Sequence, residues 1–462
     1  MKKNFALWII LTIMLIKGLV WTFIIPPLQN PDEPVHFAYV QFMGEENRVP
    51  IQTSEQSFSH ELNLFTMAVK LNEVAFNPES KYTTNQPIYD MLSKPENNNP
   101  LQRVSDGSNL AAGYPPGYYF FASLFYKLGY ESTIIFRFYA VRIFSVLLSL
   151  VAVTLAYFAG KKIEPNSNFL ASVLAITTGM HPMFSMIGSA VNNDIMMDVV
   201  SIALLLWLFT IATESVSEKT LIIGGLLCGF GLIIKAHMVY VCGFILFSAL
   251  LIFIKKYGMK STLRSAVMVS VPLLILYLPW AFFSLRHYGS FTGGVSMQPQ
   301  GDASLGLKWY FQNAFLNEAG RNRFFDLWIR TYWAKFGWLD TRFNSILVYK
   351  LIALIVITGL TGAVYGIIRR RENYKIVLFC LLFSLGNVFF LYLVEIIYFR
   401  EYHNFMLQGR YLFTSLVPIN LVLIYGFKYI FRKYTNYVYY SAAFLMILFN
   451  LISISLIYSR YY

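Results

Sequence analysis

Four short stretches carry side chains whose types and spacing could do chemistry. The first is Gln29-Asn30-Pro31-Asp32-Glu33-Pro34-Val35-His36, directly after an apolar run at 5–25. It puts two adjacent carboxylates and an imidazole at the mouth of a hydrophobic span. A partly dehydrated carboxylate has a raised pKa and can take a proton from a hydroxyl nucleophile. If 32–36 is helical, Asp32 and His36 share a face at i, i+4, so His36 can orient the carboxylate or touch substrate. The competing reading is helix capping. Asn30 and Glu33 have capping-box spacing with Pro31 first in the helix, or Asp32 is itself the cap.

The second stretch is Asn192-Asn193-Asp194, followed by Asp198. Asn192 or Asn193 suits a helix cap. Asp198 lies one turn inside an apolar span and shares a face with Asp194. A carboxylate at that depth is costly and marks a function, unless a neighbouring helix satisfies it. The third is Lys235-Ala236-His237. The apolar stretch 221–254 is flanked by Lys219 and by Lys255/Lys256, so it reads as a hairpin. Arms of roughly 14–18 residues reach only about 21–27 Å, less than the hydrocarbon core. Lys235 and His237 then sit below the surface, with Lys235 facing a cavity or an anion such as a phosphate, or snorkelling to the interface. The fourth is Gln408-Gly409-Arg410-Tyr411, where Arg410 offers either bidentate phosphate binding or an interfacial anchor.

The elements that must position these residues are membrane helices. Of 462 residues, 56% are hydrophobic and 13% charged. Long apolar runs recur from end to end, which predicts an all-α polytopic membrane protein and excludes the alternating strands of a β-barrel. About eleven transmembrane helices are expected, at 5–25, 136–160, 168–187, 195–213, 221–234, 237–254, 264–284, 346–368, 375–397, 411–430 and 438–458. Met1-Lys2-Lys3 before the first run reads as the start of an uncleaved helix. The net charge of +13 falls in short basic clusters between spans, so it speaks for topology and against nucleic acid. With this count every cluster lies on the N-terminal side, which the positive-inside rule makes cytoplasmic. Cys228, Cys242 and Cys380 all fall in apolar runs and give no disulfide framework or metal spacing.

The chain then forms one integral-membrane domain, 1–462, with two large outer segments at 26–135 and 285–345. In the first, 35–43 and 55–74 read as amphipathic helices lying on the membrane, and 77–109 as an exposed loop. Ala112-Gly113-Tyr114-Pro115-Pro116-Gly117-Tyr118-Tyr119 leads into a short, partly embedded helix that ends near 128. The second segment, the fourth outer loop, holds four of the eight tryptophans, Trp309, Trp328, Trp333 and Trp338. These are interfacial anchors or, with Arg321, Arg323, Arg330 and Lys335, the lining of a sugar or lipid-phosphate site. Large polar outer loops without an internal repeat favour an enzyme over a transporter or a non-catalytic scaffold. No Gly-rich phosphate loop or zinc-ligand spacing is present, so any donor should be membrane-borne.

With these residues placed, the chain resembles the GT-C superfamily of integral-membrane glycosyltransferases. The acidic Pro31-Asp32-Glu33-Pro34-Val35-His36 resembles that superfamily's first outer loop. Tyr114-Pro115-Pro116-Gly117-Tyr118-Tyr119 resembles its Pro-rich segment before the second helix, and Arg142 stands where those proteins often carry an Arg. Asn192-Asn193-Asp194 resembles its second acidic loop, and Gly229 through Lys235 its short helix ending in Lys. Phe336-Gly337-Trp338-Leu339-Asp340 and Gln408-Gly409-Arg410-Tyr411-Leu412 look like motifs of an uncharacterised bacterial branch. The resemblance implies sugar transfer from a polyprenyl-phosphate-linked donor to a glycan, lipid or protein acceptor, on the outer face of the bacterial plasma membrane. It gives the base to Asp32 or Glu33, with Asp32 closer to the single-Asp pattern. It implies substrate-binding roles for His36, Tyr114, Asp194, Asp198, Lys235, His237 and Arg410. Some members hold a divalent metal between the two acidic loops, for which Asp32 and Asp194 would be the ligands here.

Overall fold

A computed structural model describes all residues except 1–4, 53, 54, 56, 105–108, 295–305 and 404. Among the described residues, eight helices are long and apolar enough to cross a membrane. The eleven expected spans all fall on helix, but not as eleven separate rods. Span 168–187 is broken into Phe169–Gly179 and Pro182–Ile187. Span 221–234 lies in a helix of 15 residues, Glu218–Leu232. The two spans after it belong to Met238–Tyr288, which turns at Gly258, where φ is 74° and only a residue without Cβ is unstrained. The remaining members are Phe5–Ile24, Ile134–Ile163, Asp194–Thr213, Ile346–Ile368, Tyr374–Tyr402, Leu416–Ile430 and Thr435–Tyr461.

The break at 180–181 follows from Pro182, which cannot donate to the preceding turn. Its freed backbone groups are met by side chains from other helices. Lys17 donates to the Gly179 carbonyl at 2.8 Å and to Ser185 Oγ at 3.1 Å. Asn450 Nδ2 donates to the Met180 carbonyl at 2.9 Å. A broken helix is stable at membrane depth only when its polar backbone is satisfied in this way.

The described residues of 26–135 hold more helix than the sequence suggests. The segment read as 35–43 is the helix Glu33–Glu46, and it is covered by protein. Its residues 36–44 are all buried, as expected of a helix wrapped by protein on every side. The expected helix at 55–74 is two pieces, His60–Ala68 and Leu71–Val74, parted at Lys70, whose φ is 49°. Residues 77–109, read as loop, contain the helix Gln86–Leu92. The short embedded helix is Gly117–Lys127.

This cap is fastened by two arginines on Ile134–Ile163. Arg137 pairs with Glu61 at 2.9 Å and also hydrogen bonds Tyr126. Arg142 grips Glu33 through two parallel bonds of 2.7 and 2.8 Å. Residues 285–345 contribute short helices and a two-stranded antiparallel ribbon, Lys335–Phe336 with Thr341–Arg342. That ribbon, with an isolated antiparallel bridge between Ser59 and Arg103, is the departure from an all-α chain among the described residues. The ribbon turn is a clasp. Asp340 pairs with Arg460 at 3.2 Å, and Trp338 Nε1 donates to the Leu28 carbonyl at 3.3 Å, so the chain entering Asp32 is held in place.

The two ends of the bundle differ in charge. The basic clusters between spans meet carboxylates and carbonyls at one end, as in Lys428 with Glu164 at 2.7 Å and Lys256 with the Ile211 carbonyl at 2.8 Å. Asp32, Asp194, Lys235 and Arg410 gather at the other.

Candidate functional site

Asp32 ends the approach from the first helix in the left-handed region, with φ 62° and ψ 4°. It precedes helix Glu33–Glu46 but makes no side-chain cap bond. The Asn30 side chain has no partner among the described residues either, so neither capping reading is realised. The Asp32 carboxylate turns outward to Arg410, with Oδ2 accepting from the guanidinium at 2.5 Å, and 45% of the side chain is exposed. Burial pushes this carboxyl up, but Arg410, His36 and Lys235 outweigh it and hold it below the usual carboxylate range.

Glu33, its neighbour, has a different surrounding. It is fully buried, both oxygens are taken by Arg142, and Oε1 also accepts from the Val191 amide at 3.0 Å. Arg142 spends its remaining donors on the Thr22, Ile25 and Pro26 carbonyls. The carboxylate pair that the sequence left interchangeable is therefore split into one half-exposed group paired with Arg410 and one buried group that ties the loop to helices.

Asp194 opens its helix, with Asn192 as the cap: Asn192 Oδ1 accepts from the Asp194 amide at 2.9 Å and the Ile195 amide at 3.3 Å. Freed from capping, the Asp194 carboxylate forms an ion pair with Lys235 and faces Arg410 Nε at 3.6 Å. Asn193 Nδ2 donates to the Ile234 carbonyl at 3.3 Å, which fixes the turn that carries Lys235. Burial lowers Lys235, but Asp194, Tyr411 and Tyr114 together outweigh burial and raise it, so the ammonium is permanent near neutral pH. Gly409 fixes Arg410, since a Cβ there would lie 2.4 Å from the Tyr332 backbone nitrogen.

Aromatic rings line the cluster. Lys235 Nζ lies 5.9 Å from the Tyr114 ring and 5.1 Å from the Tyr411 ring, and Tyr411 also covers Arg410 at 5.5 Å. His36 Nδ1 is 2.7 Å from Tyr119 OH, and its ring stacks near Tyr119. Burial lowers His36 to about 4 and outweighs the upward pull of Asp32 and Asp194.

Five of the sequence candidates thus meet in one place: Asp32, His36, Asp194, Lys235 and Arg410, with Tyr114 beside them. Asp198 and His237 are not brought into the ion cluster. Asp198 is fully buried one turn below Asp194, and neither oxygen has a hydrogen-bond partner among the described residues. His237 faces Thr414 Oγ1 at 3.4 Å and the Phe390 ring at 5.5 Å. Tyr119 and Arg137 escaped the sequence reading as site and scaffold residues. The aromatic Tyr118-Tyr119 pair after Pro-Pro-Gly was the available signal for the first. Nothing short of the fold links Arg137 to Glu61.

The tryptophans of 307–345 are mostly packed into protein. Trp328 Nε1 donates to Tyr392 OH at 2.7 Å, and Trp333 packs 5.0 Å from the His181 ring. None of the four makes a hydrogen bond or ring contact with the Asp32 cluster. Among the described residues no three His, Cys, Asp or Glu side chains gather as metal ligands.

The same helical frame occurs in the oligosaccharyltransferase of Archaeoglobus fulgidus. The apo form superposes with a TM-score of 0.52 over 99% of this chain at 11% identity, and 56% of that chain is covered. A complex with an inhibitory peptide and a dolichol-phosphate gives 0.51 over 99% of this chain and 56% of that one, at 12% identity. A complex with Zn and sulfate gives 0.52 over 98% and 52%, also at 12% identity. This chain therefore spans about half the length of those proteins. No curated protein sequence matches it. The apolar helices and this likeness define a multi-pass membrane protein with a GT-C-like fold. Residues 15–420 match the family described as "Predicted membrane protein (DUF2142)", and the chain belongs to that family.

Proposed function

We propose that this protein is a membrane glycosyltransferase that moves a sugar from a polyprenyl-phosphate-linked donor to a glycan, lipid or protein acceptor. The single observation that carries this reading is the convergence of Asp32 and Asp194 with Lys235 and Arg410, from four separate chain segments, at one end of a GT-C-like bundle. The likeness to a protein solved with a dolichol-phosphate supports a lipid-phosphate donor. The basic clusters at the far end of the helices support an active site on the outer face of the bacterial plasma membrane, with the N-terminus cytoplasmic.

In the reaction, Asp32 accepts the proton of the acceptor hydroxyl, whose oxygen attacks the anomeric carbon in line. The bond from that carbon to the phosphate oxygen breaks, and the phosphate leaves with the electron pair and with inversion. Lys235 and Arg410 meet its charge. Arg410 turns from Asp32 to the phosphate as the donor enters, which frees the carboxylate to act as base. Asp194 keeps Lys235 in place. Tyr114, Tyr411 and His36 form the wall against which the sugar packs. Glu33 positions the loop through Arg142 and does not touch substrate.

The test is incubation of purified protein with a panel of polyprenyl-phosphate sugars, read by mass spectrometry for a new glycosidic product or free polyprenyl phosphate. Product that disappears in Asp32→Asn supports the reading. Movement of lipid-linked sugar across a vesicle membrane without product would replace it with a flippase.

A further inference from the structure

Two carboxylates from two acidic loops look like the beginning of a divalent metal site. Such a site needs carboxylate oxygens free to ligate, about four ligands for zinc and about six for magnesium. Here three of the four oxygens already face a cation. Asp32 Oδ2 accepts from Arg410 at 2.5 Å, and Asp194 Oδ1 is paired with Lys235. Asp194 Oδ2 faces Arg410 Nε at 3.6 Å. Two negative and two permanent positive groups cancel.

A dication between the loops would sit against both cations, in a place where charge is weakly screened. A further donor beside them, His36, has Nδ1 committed to Tyr119 OH at 2.7 Å. The residues present do not fit a metal.

We infer that Arg410 takes the place of a divalent cation, joining the two acidic loops through a buried guanidinium fixed in the chain. Arginine suits this position, being planar, charged at every working pH and more weakly hydrated than an ammonium. The Arg410 side chain is 6% exposed, and Gly409 presses its backbone against Tyr332, so the charge is built in rather than recruited. The further step, that this guanidinium meets the donor phosphate in place of a metal, rests on the proposed function. The claim that the two loops do not hold a metal does not.

The experiment uses full-length protein in detergent, stripped with EDTA and titrated with Mn²⁺, Mg²⁺ and Zn²⁺ by calorimetry, with thermal midpoints measured in parallel. Wild-type protein should bind none of them stoichiometrically, and EDTA should leave its midpoint unchanged. Arg410→Ala leaves the two carboxylates with one cation between them. It should bind Mn²⁺ at least about tenfold tighter than wild type, a gain of about 1.4 kcal/mol, and Asp32→Asn added to it should remove that gain.

Stoichiometric metal in the wild type, lost in Asp32→Asn, would overturn the inference. So would a folded Arg410→Ala protein that gains no metal affinity. If Arg410→Ala does not fold, the wild-type titration alone decides. Absence of any sugar transfer, with the metal results as expected, would remove the proposed function and leave this inference standing.

Discussion

At the scale of single residues, Asp32 and Glu33 show how little adjacency determines. One is half exposed and bound to an arginine that a phosphate can draw away; the other is sealed against Arg142. Asp32→Asn should lower transfer by about 10²–10⁴-fold with little change in thermal midpoint, measured on the same purified sample. Glu33→Gln should do the reverse of this in stability, costing about 3–5 kcal/mol by stranding a buried arginine, and should show first as lost folded yield.

His36 carries a pH prediction at the same scale. Folded His36 protonates only near pH 4, whereas the unfolded chain protonates near 6.5. Between these values the unfolded state binds the extra proton, so stability falls as pH drops from 6.5 to about 4. The span is worth roughly 3 kcal/mol at most. His36→Gln should reduce the acid-side slope of midpoint against pH. An unchanged slope would show that His36 is already charged in the folded protein.

At the scale of elements, the informative features are interruptions of helices. The break before Pro182 is held by Lys17, a basic residue in the middle of the first span. Lys17→Met keeps much of the bulk but removes the charged donor to the Gly179 carbonyl, leaving it Ser185 Oγ at 3.2 Å. It should cost about 1–3 kcal/mol, seen as a lower thermal midpoint in detergent. Helix Glu33–Glu46 teaches a second lesson. Its apolar spacing was legible, but its surroundings were not, because a helix buried on all faces and one lying on lipid can share a pattern over so few residues. The short arm Glu218–Leu232 was legible from length alone. It leaves Lys235 in the turn, where Asn193 and Asp194 hold it.

At the scale of the whole molecule, the charge difference between the two ends of the bundle predicts orientation. The three cysteines are buried, so introduced cysteines report alone. Glu96→Cys, exposed at the site end, should react with a membrane-impermeant maleimide in intact cells. Lys260→Cys, exposed beside the Gly258 turn, should react only after permeabilisation. The opposite pattern would invert the proposed topology.

The sequence by itself determined the membrane class, the positions of the apolar helices and the candidate residues Asp32, His36, Tyr114, Asp194, Lys235 and Arg410. Hydrophobic length and charge placement are local properties that the bilayer reads directly. Only the tertiary structure decided which of these residues meet. Ion pairs such as Asp32 with Arg410 join positions hundreds of residues apart, and no spacing rule reaches that far. It also decided that Glu33 is sealed against Arg142 while Asp32 is half exposed and paired with Arg410, and that Asp198 and His237 stand outside the cluster. Those outcomes depend on which polar partner a buried group finds in three dimensions, since a buried charge must be paired wherever the fold leaves it.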